Sequence, residues 1–578
     1  MKKFFTSAII FALLSIGAIV FMTMHDLQNA KFTDGTYTGI GGGRNGPIEL
    51  SVSVKGGRIK NVDIVSQSED AFAKAGIKHI IEQAIKKQSL DEFDIKSGAT
   101  LTSNGTIKAL QNALAPAMKN ANLAPPSKPE NTETDIVIIG AGGAGLAAAI
   151  EAESKGAKVI VVEKMAIIGG NTNSATGGLN ASETSVQKSL GIADSNEQFV
   201  ADTMKGGYNK NDRTLVETLA KNSAATVDWL LTLGVDLRDV GKLAGSTNKR
   251  AHRPQGGKAV GPHLIASLSN YANAKKIDIR TNTKATSIIN ENGKAAGITV
   301  ECQSGKYEIR AKAVIIATGG FGANPAMVEK YAPSLKGFGT TNHKGATGDA
   351  FEWIKSFDGA LVQMNEIQTH PTVIPENGFM ITEAVRGNGA ILINRAGKRF
   401  VNEMKTRDVV SKAILKEKGA SAFLFFDESV KESLAAIDTY KKQGLLTEAG
   451  SIAELAQKLN IDATSLAASI ARYNASQSSG TDSEFGRSAS DMPRALSTPP
   501  FYAVEVAPAI HHTMGGIKIN EKCEVQNTKG KSIPCLYAAG EVTGGIHGGN
   551  RLGGNAVADI CVFGKLAADN AVESVLKD

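Results

Sequence analysis

Cysteine is scarce in this chain: Cys302, Cys523, Cys535 and Cys561 are four in 578 residues, and they lie far apart. No pair has C-x-x-C spacing and no C-x-x-C-H occurs, which excludes covalent attachment of a c-type haem to this chain. The four read as isolated buried thiols. Blocks of lysine or arginine are also missing, and a net charge of +7 is small for this length, so no nucleic-acid partner is expected. A mildly basic surface suits anionic substrates or an acidic redox partner instead. Long apolar runs are lacking after residue 22, which leaves no second membrane-spanning segment. What the chain has in excess is glycine, 61 residues beside 42% apolar and 21% charged residues, the profile of a globular protein with many close backbone approaches. The length exceeds one hydrophobic core, and roughly two to four folding units are expected.

The one long apolar run stands at the N terminus. Met1-Lys-Lys is followed by residues Phe4 to Met22, broken only by Thr6, Ser7, Ser15 and small residues, which is the pattern of an export signal. Ala30 offers a cleavage site, although Gln28 occupies the position where a small residue is usual. Residues 1–30 therefore read as a signal peptide or a retained anchor, and the body of the protein is expected in the periplasm.

From Asp34, glycine-rich turns alternate with β-rich stretches: Gly35 to Gly39, Ile48-Glu-Leu-Ser-Val-Ser-Val54 and Ile59 to Ile64. Helices are expected over Ile77 to Lys87 and Thr106 to Met118, so residues 31–120 form a small α+β domain. Residues 121–132, with three prolines and no apolar periodicity, form a linker. Ile136-Val-Ile-Ile139 then runs directly into Gly140-Ala-Gly-Gly-Ala-Gly145 and an alanine-rich helix, and the next strand, Lys158 to Val162, ends in Glu163. A G-x-G-x-x-G between strand and helix, with an acid ending the second strand, is a dinucleotide fingerprint. Its glycines allow the tight turn, the approach of a pyrophosphate and close helix packing, and Glu163 suits a ribose hydroxyl. Further strand-to-glycine turns at Val314 to Gly320 and Leu536 to Gly545 make the site discontinuous. A Rossmann-like FAD-binding domain, 133–364 and 513–578, thus carries an inserted capping domain, 365–512, with helices such as Ala453 to Leu459. The whole is a multidomain chain of α/β and α+β class.

Several motifs after the linker resemble the soluble fumarate reductase and flavocytochrome c family. They are Gly169-Gly-Asn-Thr172, Arg250-Ala-His-Arg-Pro254, Gln368-Thr-His-Pro371, Thr382-Glu-Ala-Val-Arg-Gly387, Arg399-Phe-Val-Asn-Glu403, Thr406-Arg-Asp408, His511-His-Thr-Met-Gly-Gly516 and Asn550-Arg-Leu-Gly-Gly-Asn555. The resemblance implies an FAD-dependent enzyme that reduces the carbon–carbon double bond of a small unsaturated carboxylate, with hydride from FAD N5 and a proton from Arg407. Glu383 and Arg386 occupy the relay positions that would reprotonate Arg407. Arg551 and His511 would hold one carboxylate, His370 and Thr382 the other, and Met380 would pack over the substrate. One non-covalent FAD per chain would be held by Gly140, Gly142, Gly143, Ala144, Gly145, Glu163, Gly170, Asn171, Thr172, Gly177, Gly178, Asp349, His512, Gly540 and Glu541. No resident metal is expected. Where members of that family carry a Met-Met pair after Asp-Val-Gly, this chain has Asp239-Val-Gly-Lys-Leu243. Fumarate is favoured by His370 and Thr382, acrylate or methacrylate stay open, and His370 speaks against urocanate. An oxidase or dehydrogenase and a non-catalytic flavin carrier are the remaining readings.

The first domain resembles FMN-binding domains with covalently attached flavin, because Asp94-Ile-Lys-Ser-Gly-Ala-Thr100 fits the pattern D-x-x-[ST]-G-A-[ST]. That resemblance implies FMN esterified through its phosphate to Thr100 by a flavin transferase. Electrons would then run from a membrane quinol dehydrogenase or a periplasmic c-type cytochrome to FMN, then to FAD, then to substrate.

Overall fold

The computed structural model describes residues 32–43, 47–67, 69, 71–90, 93–95, 100–118, 130–302, 304–376 and 378–576. The signal or anchor of residues 1–30, residues 96–99 of the flavinylation motif and residues 121–129 of the linker lie outside them. No helix among the described residues is long and apolar enough to cross a membrane. The chain divides into two compact units, residues 1–128 with 165–167, and residues 129–164 with 168–578.

In the first unit, strands Gly35–Gly42, Pro47–Lys55 and Arg58–Ser66 form an antiparallel meander in chain order. The strict alternation of the central strand buries Ile48, Leu50, Val52 and Val54 on one face. Each such aliphatic side chain is worth about 1.5–3 kcal/mol when taken from water. Helices Ala71–Lys87 and Thr100–Leu114 cover that face through Ile77, Ile80, Leu110 and Leu114. Both begin earlier than their apolar periodicity indicates. In the second the first turn is polar, and it is held by Thr102, which is buried and donates to Glu69. Gly39 lies directly under that helix: a Cβ there would come within 2.2 Å of the Ala113 nitrogen.

The second unit is built on a sheet whose parallel core, Gly305–Ile316, Thr132–Ile139, Val159–Val162 and Asp278–Arg280 in spatial order, is extended by the hairpin Lys284–Glu291 and Lys294–Cys302. Strand Ser532–Ala538 returns to it in parallel, pairing Leu536 with Val314, so the chain re-enters the nucleotide fold after residue 513. The continuous apolar runs reflect strands buried on both faces. Between the two visits a second hydrophobic core forms, spanning Ile374 to Val506. It sits on antiparallel strands Ile367–Val373, Phe501–Thr513, Ala422–Asp427 and Ile391–Ile393, in that spatial order. Two of these strands, Ile367–Val373 and Phe501–Thr513, are the way into and out of the inserted segment, and both carry site residues.

The cysteines correct the reading of four buried thiols. Cys523 and Cys561 are buried, but Cys302 and Cys535 are only partly covered. Cys302 ends strand Lys294–Cys302, paired with Gly305 of the following strand, and Cys535 takes a left-handed φ of 60° within the return strand. All four are free.

Candidate active site

The nucleotide turn explains its own glycines. Gly142 caps helix Gly143–Ser154 at φ −77° without a side-chain cap bond, and a Cβ placed on it would meet nothing nearer than the Gly169 oxygen at 4.0 Å. That is an open helix N-terminus, where a pyrophosphate is favoured by free N–H groups and the helix dipole. By contrast, a Cβ on Gly145 would lie 1.8 Å from the Gly140 oxygen, and one on Gly140 would lie 2.4 Å from the Ala317 oxygen. Gly143 is closed off by Ile560 and Thr172, and Gly540 packs against Ala144, its added Cβ 3.0 Å from the alanine methyl. Glu163 ends strand Val159–Val162 and accepts the Ala141 N–H at 3.0 Å. Thr172 accepts the Gly143 N–H at 3.2 Å, and Asn171 donates to Asn342 at 2.7 Å and Glu541 at 3.2 Å. Asp349 pairs with Lys164, beside Glu163, at 2.8 Å. Gly177 and Gly178 lead into strand Leu179–Asn180, with Gly178 against Ala251. His512 is buried with its Nδ1 3.5 Å from Glu541, and its Nε2 has no hydrogen-bond partner within the chain. An open cradle at Gly142 and an orphaned buried imidazole nitrogen are what FAD would fill, so these residues fit that cofactor.

Some distance along the same unit the relay trio comes together. Glu383 stands at the N-cap of the short helix Ala384–Gly387, which puts Arg386 one turn away, and Arg407 opens helix Arg407–Leu415. The Arg407 Nε donates to Glu383 Oε2 at 2.9 Å, and the Arg386 Nη2 lies 3.5 Å from the same oxygen. Burial alone would raise the Glu383 carboxyl, but the guanidiniums of Arg407 and Arg386 outweigh it and hold it below the usual glutamate value. Arg407 Nη1 donates to Gln368 Oε1 at 3.1 Å. The remaining nitrogen, Nη2, lies 3.8 Å from where a Cβ on Gly553 would stand.

Arg551, two residues before Gly553, donates through Nη2 to the same Gln368 oxygen at 3.1 Å, while its buried Nε has no partner. Burial, followed by the nearby Arg407, pushes its guanidinium down to about 9, so it stays a cation at neutral pH and gains from receiving a carboxylate. His511 is set by a β-bulge. Gln368 pairs with His512 but Thr369 pairs with Ile510, so His511 is the extra residue that the bulge turns out of register. Its ring stands 5.1 Å from that of His370, with Nδ1 2.8 Å from the Thr341 hydroxyl. His370 Nδ1 accepts the Thr372 N–H at 3.3 Å, which leaves the proton of the neutral ring on Nε2. Burial, reinforced by Arg407 and other nearby positive groups, pushes both imidazoles well below their ordinary value, so both are neutral. Thr382 has its hydroxyl 3.4 Å from that of Thr176 and donates its N–H to the Tyr440 oxygen at 3.2 Å. Met380 is half-buried on a bridge to Val373. Leu243, at the departure from the Met-Met pair, lies 3.4 Å from Cβ positions on both Gly177 and Gly553, on the wall next to Arg407.

A family model described as an FAD binding domain matches residues 135–557, and one described as an FMN-binding domain matches residues 43–115. A fumarate reductase (cytochrome) from Shewanella frigidimarina is 50% identical over 449 residues, which cover 77% of this chain and 78% of that protein. The chain belongs to the FAD-dependent fumarate reductase family. This fumarate reductase-type oxidoreductase, acting on CH–CH groups, is also 40% identical to an NADH:fumarate oxidoreductase from Klebsiella pneumoniae, over 95% of this chain and 59% of that protein. Among solved structures, the open conformation of a flavocytochrome c3 fumarate reductase superposes with a TM-score of 0.69 at 37% identity, covering 84% of this chain and 85% of the other.

Four residues of this fumarate reductase-type site carry no signal of their own in the sequence. Gln368 falls inside a recognised motif, yet its role depends on two arginines far along the chain. Thr341, Thr176 and Tyr440 contact His511 and Thr382 from segments with no motif, and only the tertiary structure reveals them.

Proposed function

We propose that this protein is an exported reductase of small α,β-unsaturated carboxylates, with fumarate as its favoured substrate and anaerobic respiration as its setting. The observation that carries the reading is the joint grip of Arg407 and Arg551 on Gln368, beside two neutral imidazoles and with Glu383 behind Arg407. The Arg551 fork and His511 receive one carboxylate, and His370 and Thr382 receive the second. Hydride for the β-carbon is what FAD supplies when bound in the Gly142 cradle. Arg407 gives a proton to the α-carbon, and its neutral guanidine is reprotonated through Glu383, a carboxylate that takes a proton from Arg386 and passes it on. A guanidinium is a weak acid in water.

Thr100 would hold FMN, esterified by a flavin transferase, which would supply electron entry toward FAD, with a c-type cytochrome or a quinol dehydrogenase outside the cytoplasm as donor. The export pattern of residues 1–30 and the D-x-x-S-G-A-T stretch support this route. A second reading, acrylate or methacrylate, is favoured by Leu243 beside Arg407, because a changed apolar wall alters the space around the substrate.

The test is anaerobic reoxidation of the viologen-reduced, flavin-loaded protein by fumarate, acrylate, methacrylate and urocanate, with Arg407→Ala alongside. Fumarate should turn over fastest, and the variant should lose about 10²–10⁴-fold in rate. Preference for acrylate or methacrylate removes the second-carboxylate role of His370 and Thr382. Reaction with none removes the reductase reading.

A further inference from the structure

The turn after helix Asn196–Gly206 is strained. Tyr208 and Asn209 follow each other with φ of 59° and 55°, a left-handed conformation that non-glycine residues rarely adopt and that is retained where something else requires it. What the strain secures is the direction of the Tyr208 side chain. Its hydroxyl donates to Asp408 Oδ1 at 2.9 Å, and the Thr406 side chain faces the same phenol. These are the two neighbours of Arg407.

Independent features of the sequence agree. Thr406 is the N-cap residue of helix Arg407–Leu415, a position where a threonine oxygen ordinarily accepts a backbone N–H, yet it makes no cap bond. Its side chain faces the Tyr208 phenol instead. Beneath the phenol ring lies Gly549, whose added Cβ would be 3.0 Å from Tyr208 Cδ2, and whose N–H donates to the Gly207 oxygen at 2.8 Å. Gly549 leads directly into Asn550 and Arg551. One ring thus rests on the loop that carries the carboxylate-binding arginine and grips the turn that carries the proton donor. It is 47% exposed, so it has no place in the hydrophobic core.

We propose that Tyr208 is a positioning residue for proton transfer: from the FAD-binding side it fixes the first turn of helix Arg407–Leu415, and so sets Arg407 against a substrate held by Arg551. The proposal rests on Arg407 being the proton donor. A small displacement of a donor costs rate far more than it costs binding.

The experiment compares Tyr208→Phe, Asp408→Ala, their combination and Arg407→Ala in the full flavin-loaded chain. The readouts are kcat and KM for fumarate with viologen as donor, the solvent deuterium isotope effect on kcat, flavin content and Tm. Tyr208→Phe should lower kcat about 10- to 100-fold, leave KM within about twofold and enlarge the isotope effect, with flavin content and Tm unchanged. Asp408→Ala should do likewise, and the double variant should be no worse than the poorer single one, because both remove one interaction. Wild-type kcat and isotope effect in Tyr208→Phe overturn the proposal, as does a kcat loss that follows Tm or flavin content, or multiplicative losses in the double variant. Arg407→Ala separates the two readings: inactivity there with an unaffected Tyr208→Phe refutes only the positioning role, whereas retained activity refutes the proton donor itself.

Discussion

Gln368 presents one carbonyl oxygen to two guanidiniums, and its amide cannot turn over, because its nitrogen donates to Asn550 at 2.7 Å and to the Arg551 oxygen at 2.9 Å. The proposed substrate binding at Arg551 and proton transfer at Arg407 would therefore share a single acceptor. Hydrogen bonds to charged groups contribute about 1.5–3 kcal/mol each. Gln368→Leu, of similar length and without the oxygen, should lower kcat/KM for fumarate by roughly 10- to 100-fold, with KM raised and kcat reduced together. A variant whose loss lies wholly in KM would mean that the oxygen serves Arg551 alone. Residue roles of this kind were only half legible. The motifs name Arg407, Glu383, Arg551 and the histidines by resemblance, but nothing local in Gln368-Thr-His-Pro371 says that its first residue bridges two arginines.

At the scale of the element, the nucleotide turn separates its glycines into those the chain itself requires and one that leaves room for a ligand. Gly145 is required by the chain itself, since its Cβ would overlap the Gly140 carbonyl, whereas Gly142 has room for one and keeps that room for a ligand. Gly145→Ala should therefore lower Tm and flavin content together. Gly142→Ala should leave the apo-protein's Tm within a few degrees and still reduce flavin retention, read as the flavin-to-protein absorbance ratio. Equal Tm losses in both would show that Gly142 too is structural. The separate roles of turn, pyrophosphate approach and packing were legible in G-x-G-x-x-G, as were the strand and the acid at Glu163, because buried parallel strands leave unbroken apolar runs. The bulge at His511 was not legible. Alternation along Phe501–Thr513 is the same with or without an extra residue, and only pairing to Ile367–Val373 shows which residue is expelled.

Across the whole molecule, the cost of a neutral active site should appear as acid sensitivity. In the unfolded chain an imidazole takes up a proton near pH ~6.5. In the fold, burial makes His370, His511 and His512 do so only well below that value. Below pH ~6.5 the unfolded state thus binds more protons than the folded one, and stability that is fully present above this pH is lost as pH falls, by up to about 1.4 kcal/mol per unit for each group. Glu541 acts in the opposite sense, because burial raises its carboxyl: its contribution is present at low pH and lost as pH rises through its folded value. His252 shifts in the same sense and Glu151 in the opposite one, so four histidines against two glutamates leave the acid limb dominant. Urea midpoints should be flat from pH 7 to 8 and fall steadily from about pH 6.5 downward. Replacing His512 with glutamine, which cannot be protonated, should make that fall shallower without moving its onset. A midpoint that rises between pH 6.5 and 5.5 would mean that the buried imidazoles are charged in the fold, and the neutral carboxylate-binding site would have to be abandoned.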